Sequence, residues 1–425
     1  MILQACDPDV EVELSVKAYQ VALQLTEMAD GKRLPMVWLR PGRLALETLF
    51  QDDLDFLYDP DRLFAILKTL FDLCRDQGLS VRLVQPATSF KITMEVLAPP
   101  GRVLQLEMWP HAECRKDQGH GRLSRCAIPY AEFQRLGELQ KPSALAAMFL
   151  LHLHHKDKDL LSPSVQERLG YFCDLANMSH DLQSCMKSML AGHVTIENGR
   201  ACAHDWIQSA GLKVTSPIAY QVEKLRRYFS GIRIPAIRTI AVVGPDGSGK
   251  TTLIENARQN LGPSTFSFVR FKRYFRRVLV RVFRAEPRNI RDEKMLWLVL
   301  PVAWLHFLLV RTVLGWFKPA IMDRYFYDYL AKDVRSATRP LHKITGYSFS
   351  SSIVPRPTKL VVASCATSVI LSRKAEMQPH SIDALYDLYL DQICRSSVHQ
   401  VLFCDTRQSA ERSAHQMSAF VLDRS

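Results

Sequence analysis

The sequence has little of what marks a secreted, fibrous or membrane-spanning protein. Its ten cysteines form no C-x-x-C pair and no metal-ligand spacing, which fits a reducing compartment better than a disulfide framework. The N-terminal residues show no basic segment followed by a long apolar one, so we expect no secretory signal and a cytoplasmic location. The uncharged stretch 295–310 is shorter than the ~20 residues of a membrane span, and a buried helix is expected there.

What remains is the composition of a globular protein with more than one domain. A chain of 425 residues that is 47% apolar and 23% charged is long enough for two or three buried cores. Strand and helix patterns mix in the first part, and the segment from about 130 to 230 is mostly helical in pattern. We therefore predict an α/β N-terminal domain over 1–118, a helical region over 119–235 and a C-terminal α/β domain over 236–425.

The net charge of +12 is concentrated in one segment of the chain. Residues 270–288 contain eight basic residues and a single acid, Glu286. A basic amphipathic helix of this kind can lie on an anionic membrane surface, wall a cleft for a phosphorylated acceptor, or form a solvated face. Because the charge is local, we expect no specific nucleic-acid partner.

A phosphate-binding loop (P-loop) is the strongest motif in the sequence. The apolar run 239–243 is followed by G-x-x-x-x-G-K-T, from Gly244 to Thr251, and then by a helix-like stretch to Leu261. Glycines let backbone N–H groups turn inward around phosphate oxygens, and the helix presents its positive N-terminal end to the same anion. The lysine reaches the outer phosphates and the threonine hydroxyl ligates Mg²⁺, so ATP and Mg²⁺ are the expected cofactors. The predicted nucleotide-binding residues are Gly244, Asp246, Gly247, Ser248, Gly249, Lys250, Thr251 and Thr252.

A second group of polar residues is predicted beside this loop. The short apolar run from Ala320 ends in Asp323 and Arg324. Ligands collect at the carboxyl ends of the strands in a parallel sheet, which is where this carboxylate and this guanidinium would lie. The sequence therefore predicts one polar site built from both segments.

Together these segments resemble the thymidylate kinase family of P-loop kinases. The resemblance starts from Gly-Pro-Asp-Gly-Ser-Gly-Lys-Thr-Thr and Asp-Arg-Tyr, and it covers roughly residues 237–422. The segments that carry it are 244–252, 323–325, 355–363, 370–374 and 401–405. It implies a parallel sheet flanked by helices and an ATP- and Mg²⁺-dependent kinase activity.

By this resemblance, a few side chains carry the chemistry around ATP. Asp246 would face the hydroxyls of the acceptor, and Asp323 would sit by Mg²⁺ together with Thr251. Arg324 would bind phosphate, and Arg373 would close over the transferring group as a lid residue. A guanidinium suits that role because charge spreads over the equatorial oxygens during phosphoryl transfer. The predicted catalytic residues are Lys250, Asp323, Arg324 and Arg373.

Two departures from the family concern the substrate. Where the family's lid strand ends with an acid, this chain has Ala363-Ser364-Cys365, and residues 266–317 are basic and then very apolar, unlike a thymine pocket. We therefore expect phosphoryl transfer to a small acceptor, which is a nucleoside monophosphate or a sugar or lipid-linked intermediate. A regulatory NTPase without an acceptor and a bifunctional nucleotidyltransferase–kinase are the alternatives.

The N-terminal part carries acids whose spacing resembles that of a minimal nucleotidyltransferase domain. Asp53 and Asp55 are two residues apart on a predicted strand, so they face the same side, and Glu107 can join them from a neighbouring strand. Three such acids bind Mg²⁺ and align a triphosphate. The turn upstream has Arg43 after Gly42, where that family has Gly-Ser or Gly-Gly. An active transferase, the same fold without activity and an unrelated domain with solvated acids all stay open.

Overall fold

The structure is a computed structural model in which part of the chain is described. The structure does not test the predictions made for the basic segment 270–288 and the uncharged stretch 295–310. Of these residues it describes Arg270, Leu305 and Phe307. The described residues are 8–30, 33–39, 46, 49–50, 53–84, 91–98, 102–117, 123–156, 158–216, 218–222, 225, 235–262, 264–270, 305, 307, 318–328, 356–374, 377–396 and 400–423.

A ten-stranded mixed sheet runs through the described part of the chain. In spatial order its strands are β1 (Met36–Trp38), β2 (Leu54–Tyr58), β5 (Arg102–Trp109), β4 (Ile92–Ala98), β3 (Ser80–Val84), β12 (Gln400–Asp405), β11 (Arg356–Ser364), β8 (Pro235–Val243), β10 (Ala320–Asp323) and β9 (Ser267–Arg270). Neighbours from β12 to β9 pair in parallel, as do β2 and β5, while the remaining neighbours are antiparallel. A mixed α/β fold is therefore confirmed.

Helices flank this sheet and also build the middle of the chain. The helices packed on the sheet are α1 (Pro8–Asp30), α2 (Leu63–Gln77), α8 (Lys250–Leu261), α9 (Thr367–Arg373), α10 (Pro379–Ser396) and α11 (Ala410–Leu422). The middle region contains α3 (Tyr130–Gln134), α4 (Lys141–Lys156), α5 (Pro163–Asp174), α6 (His180–Leu190) and α7 (Ile196–Ser209), preceded by the hairpin β6 (His111–Asp117) and β7 (Leu123–Pro129). Helices α4 to α7 share a core of their own.

Alternating side chains along the C-terminal strands supply two cores, one on each face. Ala241 and Val243 of β8 pack on the face covered by α1, α2 and α10. Ile240 and Val242 point the other way, toward α8 and α11. Successive side chains of a strand face opposite sides, and a strand buried on both faces reads as a continuous apolar run. The run before the P-loop is apolar for that reason.

The N-terminal and C-terminal halves of the sheet meet where β3 pairs antiparallel with β12. Beside this joint the ring centroids of Phe71 in α2 and Phe403 in β12 are 4.8 Å apart. Arg75 of α2 lies over the Tyr386 ring of α10, and Lys68 donates to the Asp387 carboxylate of α10 at 2.6 Å. The pairing covers the edges that each half would otherwise expose, so one core spans both halves.

Helix α8 follows the P-loop and ends at Leu261, as the sequence predicts, and the helices α3 to α7 lie in the segment predicted to be mostly helical. The hairpin of β6 and β7 is not predicted by the sequence. The predicted domain boundary at residue 118 falls between these two paired strands. The division into three domains stays a prediction. No helix in the described ranges is long and apolar enough to cross a membrane.

Candidate functional site

The predicted P-loop connects the end of β8 to the start of α8. Gly244, Gly247 and Gly249 have φ values of +150°, +92° and +82°, which side chains disfavour. A Cβ atom at Gly244 would also lie 2.8 Å from the backbone oxygen of Ala363 in β11. The loop therefore requires glycine here for its conformation and for its packing against the neighbouring strand.

Lys250, the first residue of α8, is buried at the base of this loop. Its ammonium donates to the backbone oxygens of Gly244 and Pro245, both at 2.6 Å, and lies 3.8 Å from Oδ1 of Asp246. Burial lowers the pKa of Lys250 to about 8, and the negative charge of Asp328 opposes this shift. Because burial disfavours the charged form, the ammonium of Lys250 loses its proton at a lower pH than an exposed lysine does.

The Asp323–Arg324 pair lies directly beside the loop because β10 runs parallel to β8. Arg324 has a positive φ of +71°, its N–H donates to the Val242 oxygen at 2.9 Å, and Nη2 donates to Oδ1 of Asp246 at 2.6 Å. A non-glycine residue in this conformation costs about 1–3 kcal/mol and persists where its surroundings fix it. These two contacts fix the turn and direct the guanidinium across the loop.

Asp328 is a buried acid of this site to which the sequence analysis gave no role. Oδ2 accepts from the Tyr325 N–H and Oδ1 accepts from the Tyr389 hydroxyl, both at 3.0 Å. Burial raises its pKa, and the positive charges of Lys250 and Arg324 act in the opposite direction. Asp328 thus holds the turn after Asp323 and supplies negative charge behind the two cations. Its position four residues after Arg324 is the one signal in the sequence that could have pointed to it.

The predicted lid arginine, Arg373, is the exposed last residue of α9. Its Nη2 donates to the backbone oxygen of Thr406 at 3.2 Å. The Thr406 hydroxyl contacts the Ser248 oxygen of the P-loop at 2.8 Å and the Ser364 oxygen at the end of β11 at 3.2 Å. The sequence analysis missed Thr406. It follows a parallel strand at the sheet edge where ligands bind, and that position was the available signal.

Most of these groups line one cavity of about 640 Å³, whereas Asp328 lies outside its lining. Its lining residues are Asp246, Gly247, Gly249, Lys250, Thr251, Thr252, Leu253, Asp323, Arg324, Arg373, Lys374, Thr406, Gln408, Ala410 and Ser413. Most of the predicted site residues are among them, whereas Gly244 and Ser248 lie in the loop behind. Thr251 and Asp323 both line this cavity, and hydroxyl and carboxylate oxygens are hard donors of the kind that bind Mg²⁺.

The N-terminal acids have a different environment. Asp55 and Glu107 are register partners on the parallel strands β2 and β5. The Lys91 ammonium pairs with Glu107, and the Trp109 indole N–H donates to Oδ1 of Asp55 at 3.2 Å. Within the described residues no group of three His, Cys, Asp or Glu side chains is placed to hold a metal ion.

The predicted metal-binding role of Asp53, Asp55 and Glu107 therefore stays a prediction, with no three-acid group found for it among the described residues. Lys91, the residue before β4, already places a positive charge beside Glu107. Gly42 and Arg43, the predicted phosphate turn of this half, lie outside the described residues.

Comparison with known proteins gives no family for this chain. A scan against protein-family models finds no match, and a search of curated proteins finds no similar sequence. The resemblance to thymidylate kinases and the weaker one to nucleotidyltransferases therefore stay predictions.

Proposed function

We propose that this protein is a kinase that transfers a phosphoryl group from ATP, with Mg²⁺, to a small acceptor. The observation that carries the proposal is the convergence of the P-loop, the Asp323–Arg324 turn and Arg373 on one cavity. Phosphoryl transfer needs little covalent chemistry from the protein, and positioning and charge stabilisation suffice. Seven cysteines are free thiols, which agrees with the reducing cytoplasm in which we place this activity: Cys74, Cys173, Cys185, Cys202, Cys365, Cys394 and Cys404.

The charges around the cavity favour a polyphosphate. Lys250, Arg324, Arg373 and Lys374 contribute four positive charges, and Asp246 and Asp323 contribute two negative ones. A cleft with an excess of one charge concentrates ligands of the opposite charge. The phosphates of bound ATP would also accept hydrogen bonds from backbone N–H groups of the P-loop and would lie at the positive N-terminal end of α8.

Each residue of the cavity has a distinct part in the proposed reaction. Thr251 and Asp323 would hold Mg²⁺, which neutralises charge on the phosphates when bound. Lys250 and Arg324 would bind phosphate oxygens after exchanging their present partners, the loop carbonyls and Asp246. Arg373 is exposed and held by a single backbone oxygen, so it is free to turn toward the transferring group.

The acceptor is expected to differ from that of thymidylate kinases, because the segment that should face it is basic and then strongly apolar. We therefore predict that thymidine monophosphate is a poor acceptor. In steady-state assays, the rate of ATP turnover with this nucleotide should be near the rate of ATP hydrolysis in its absence. Efficient phosphorylation of thymidine monophosphate would overturn this expectation and restore the family's namesake activity.

A screen with γ-labelled ATP tests the proposed function. Candidate acceptors should include nucleoside monophosphates, sugar phosphates and lipid-linked phosphates, with acceptor-free hydrolysis as the control. Transfer of label to one acceptor class, lost in Lys250→Ala and kept in Lys91→Ala, is the expected result. Hydrolysis that no acceptor stimulates would favour a regulatory NTPase, and label released as pyrophosphate would favour nucleotidyl transfer.

A further inference from the structure

One wall of the proposed nucleotide cavity rests on the N-terminal half of the protein. The wall segment, residues 405–410, follows β12 and contributes Thr406, Gln408 and Ala410 to the cavity lining. Behind it lies the α2 terminus, residues 75–80, which ends helix α2 and begins β3. The two segments are more than 300 residues apart in sequence and are joined by several hydrogen bonds.

Arg407 makes the largest share of these bonds. Its guanidinium donates to the backbone oxygens of Arg75 and Asp76, and it forms a two-nitrogen pair with the buried carboxylate of Asp405, with Nη2 2.8 Å from Oδ2. Backbone oxygens at the end of a helix have no partners within it, and a cation there is favoured by the helix dipole. Arg407 thus caps a helix of the N-terminal half from the C-terminal half.

Two further bonds continue the contact on either side. Nε2 of Gln408, a cavity-lining side chain, donates to the Gly78 oxygen at 3.3 Å. The Asp405 N–H donates to the buried hydroxyl oxygen of Ser80 at 2.9 Å. Gly78 has a φ of +76°, and a Cβ atom there would lie 3.0 Å from Nη2 of Arg407. The α2 terminus is therefore shaped to receive this guanidinium.

Thr406 connects the wall segment to the P-loop and to the predicted lid residue, Arg373. Its hydroxyl bonds to the Ser248 oxygen, and its own backbone oxygen accepts from Arg373. A Cβ atom at Gly249 would lie 3.3 Å from Cβ of Thr406, so the loop and the wall segment are in close contact. A shift of Arg407 would move Thr406, and with it the groups on both sides of the cavity.

We propose that the N-terminal half is a working part of the nucleotide site, with Arg407 as the positioning residue that sets the wall segment against the P-loop. The inference rests on the proposed function, since it assigns ATP to this cavity. It gives the N-terminal half a role in ATP affinity that does not require the acids Asp55 and Glu107 to be catalytic. A wall that is held in place before the ligand arrives increases affinity, because less conformational freedom is lost on binding.

The test compares Arg407→Ala with Arg82→Ala in the full-length protein. Arg82 also joins the two halves, since its Nη2 lies 2.5 Å from Oδ2 of Asp423, but neither residue lines the cavity. We expect Arg407→Ala to raise the Kd for Mg-ATP and the KM for ATP about tenfold, with kcat at saturating ATP changed less than about threefold. Arg82→Ala should change none of these by more than about twofold.

Two more variants keep the test decisive if Arg407→Ala does not fold. Arg407→Lys keeps the positive charge beside Asp405 but loses the planar guanidinium that reaches two carbonyl oxygens. It should therefore keep part of the ATP affinity that Arg407→Ala loses. Ser80→Ala removes a partner of the wall segment from within the N-terminal half and should raise the Kd about threefold.

The outcomes separate this inference from the proposed function. ATP binding in the parent with an unchanged Kd in Arg407→Ala and Ser80→Ala would overturn the inference and leave the proposed kinase standing. An equal loss in Arg82→Ala, or a fall in kcat with KM unchanged, would assign the effect to general stability and would also overturn it. A parent that does not bind Mg-ATP would overturn both.

Discussion

The P-loop cavity and the N-terminal acid pair lie on the same sheet and differ in how their charges are satisfied. In the N-terminal half, Glu107 is paired with Lys91 and Asp55 accepts from Trp109. Around the P-loop, Lys250 is held by backbone oxygens, and the cations lining the cavity outnumber the acids. Glu107 therefore already has a cation beside it, whereas the P-loop cavity has surplus positive charge and space for an anionic ligand. This difference supports the proposal that ATP binds in the C-terminal half.

The largest expected effect is that of Lys250→Ala on nucleotide binding. Loss of the ammonium should weaken Mg-ATP binding by at least ~10²-fold, because a charge partner of the phosphates is removed from a buried position. The fold should persist, since removing a desolvated ammonium also removes its burial cost. Titration with a fluorescent ATP analogue and a thermal melt measure both quantities. An unchanged Kd would show that the site is misassigned.

The next effect separates Arg373 from Asp323 within the cavity. Arg373→Ala should lower kcat by roughly 10², about 3 kcal/mol, with little change in ATP affinity, because a lid acts as charge develops. Asp323→Ala should weaken Mg-ATP binding as well as turnover, because a magnesium ligand acts before and during transfer. Nucleotide titrations and rates of the two variants make the comparison. Loss of ATP affinity with kcat retained in Arg373→Ala would make Arg373 a ground-state clamp.

A smaller effect concerns pH. The pKa of Lys250 in the free protein is about 8, and bound phosphates favour the ammonium and raise it. ATP affinity should therefore be flat below pH 8 and fall by up to about tenfold per pH unit above it, with net proton uptake on binding near pH 8. Calorimetric titrations in buffers of different ionisation enthalpy detect this uptake. Affinity that is constant from pH 7 to pH 9 would contradict the assigned environment of Lys250.

The smallest effect on nucleotide binding is expected from the N-terminal pair. Lys91→Ala leaves the buried Glu107 without its cation and should lower the free energy of unfolding by about 1–3 kcal/mol, while the Kd for Mg-ATP stays within about twofold. The double variant with Glu107→Gln should recover part of the stability. Denaturant unfolding and ATP titration measure the two quantities. A large rise in Kd for Lys91→Ala would mean that this half binds the nucleotide.

The two sites also differ in how far the sequence could predict them. The P-loop is encoded locally, since the glycines, the lysine and the following helix are adjacent in sequence and their geometry follows from their spacing. To predict a site from the N-terminal acids, one also has to infer which strands are neighbours in the sheet. Period-two alternation predicted that Asp53 and Asp55 face the same side, and Glu107 was expected from a neighbouring strand, where it is the register partner of Asp55. It could not show that Lys91, in a segment with no motif, would pair with Glu107.

Contacts between distant segments lay beyond the reach of the sequence analysis. Asp328 and Thr406 contribute to the site through partners such as Tyr389 and Ser248, which no local pattern links to them. The joint between β3 and β12 likewise depends on the pairing of two strands that are far apart in the sequence. Backbone edges are not visible in side-chain patterns, so the union of the two halves became apparent only in the fold.

Hydrogen exchange in the presence and absence of Mg²⁺ and a non-hydrolysable ATP analogue tests the central assignment most directly. Binding at the C-terminal cavity should slow exchange in peptides covering 244–252 and 405–410. Exchange in peptides covering 54–58 and 102–109 should stay unchanged. Protection of these N-terminal strands without protection of the P-loop would contradict the account.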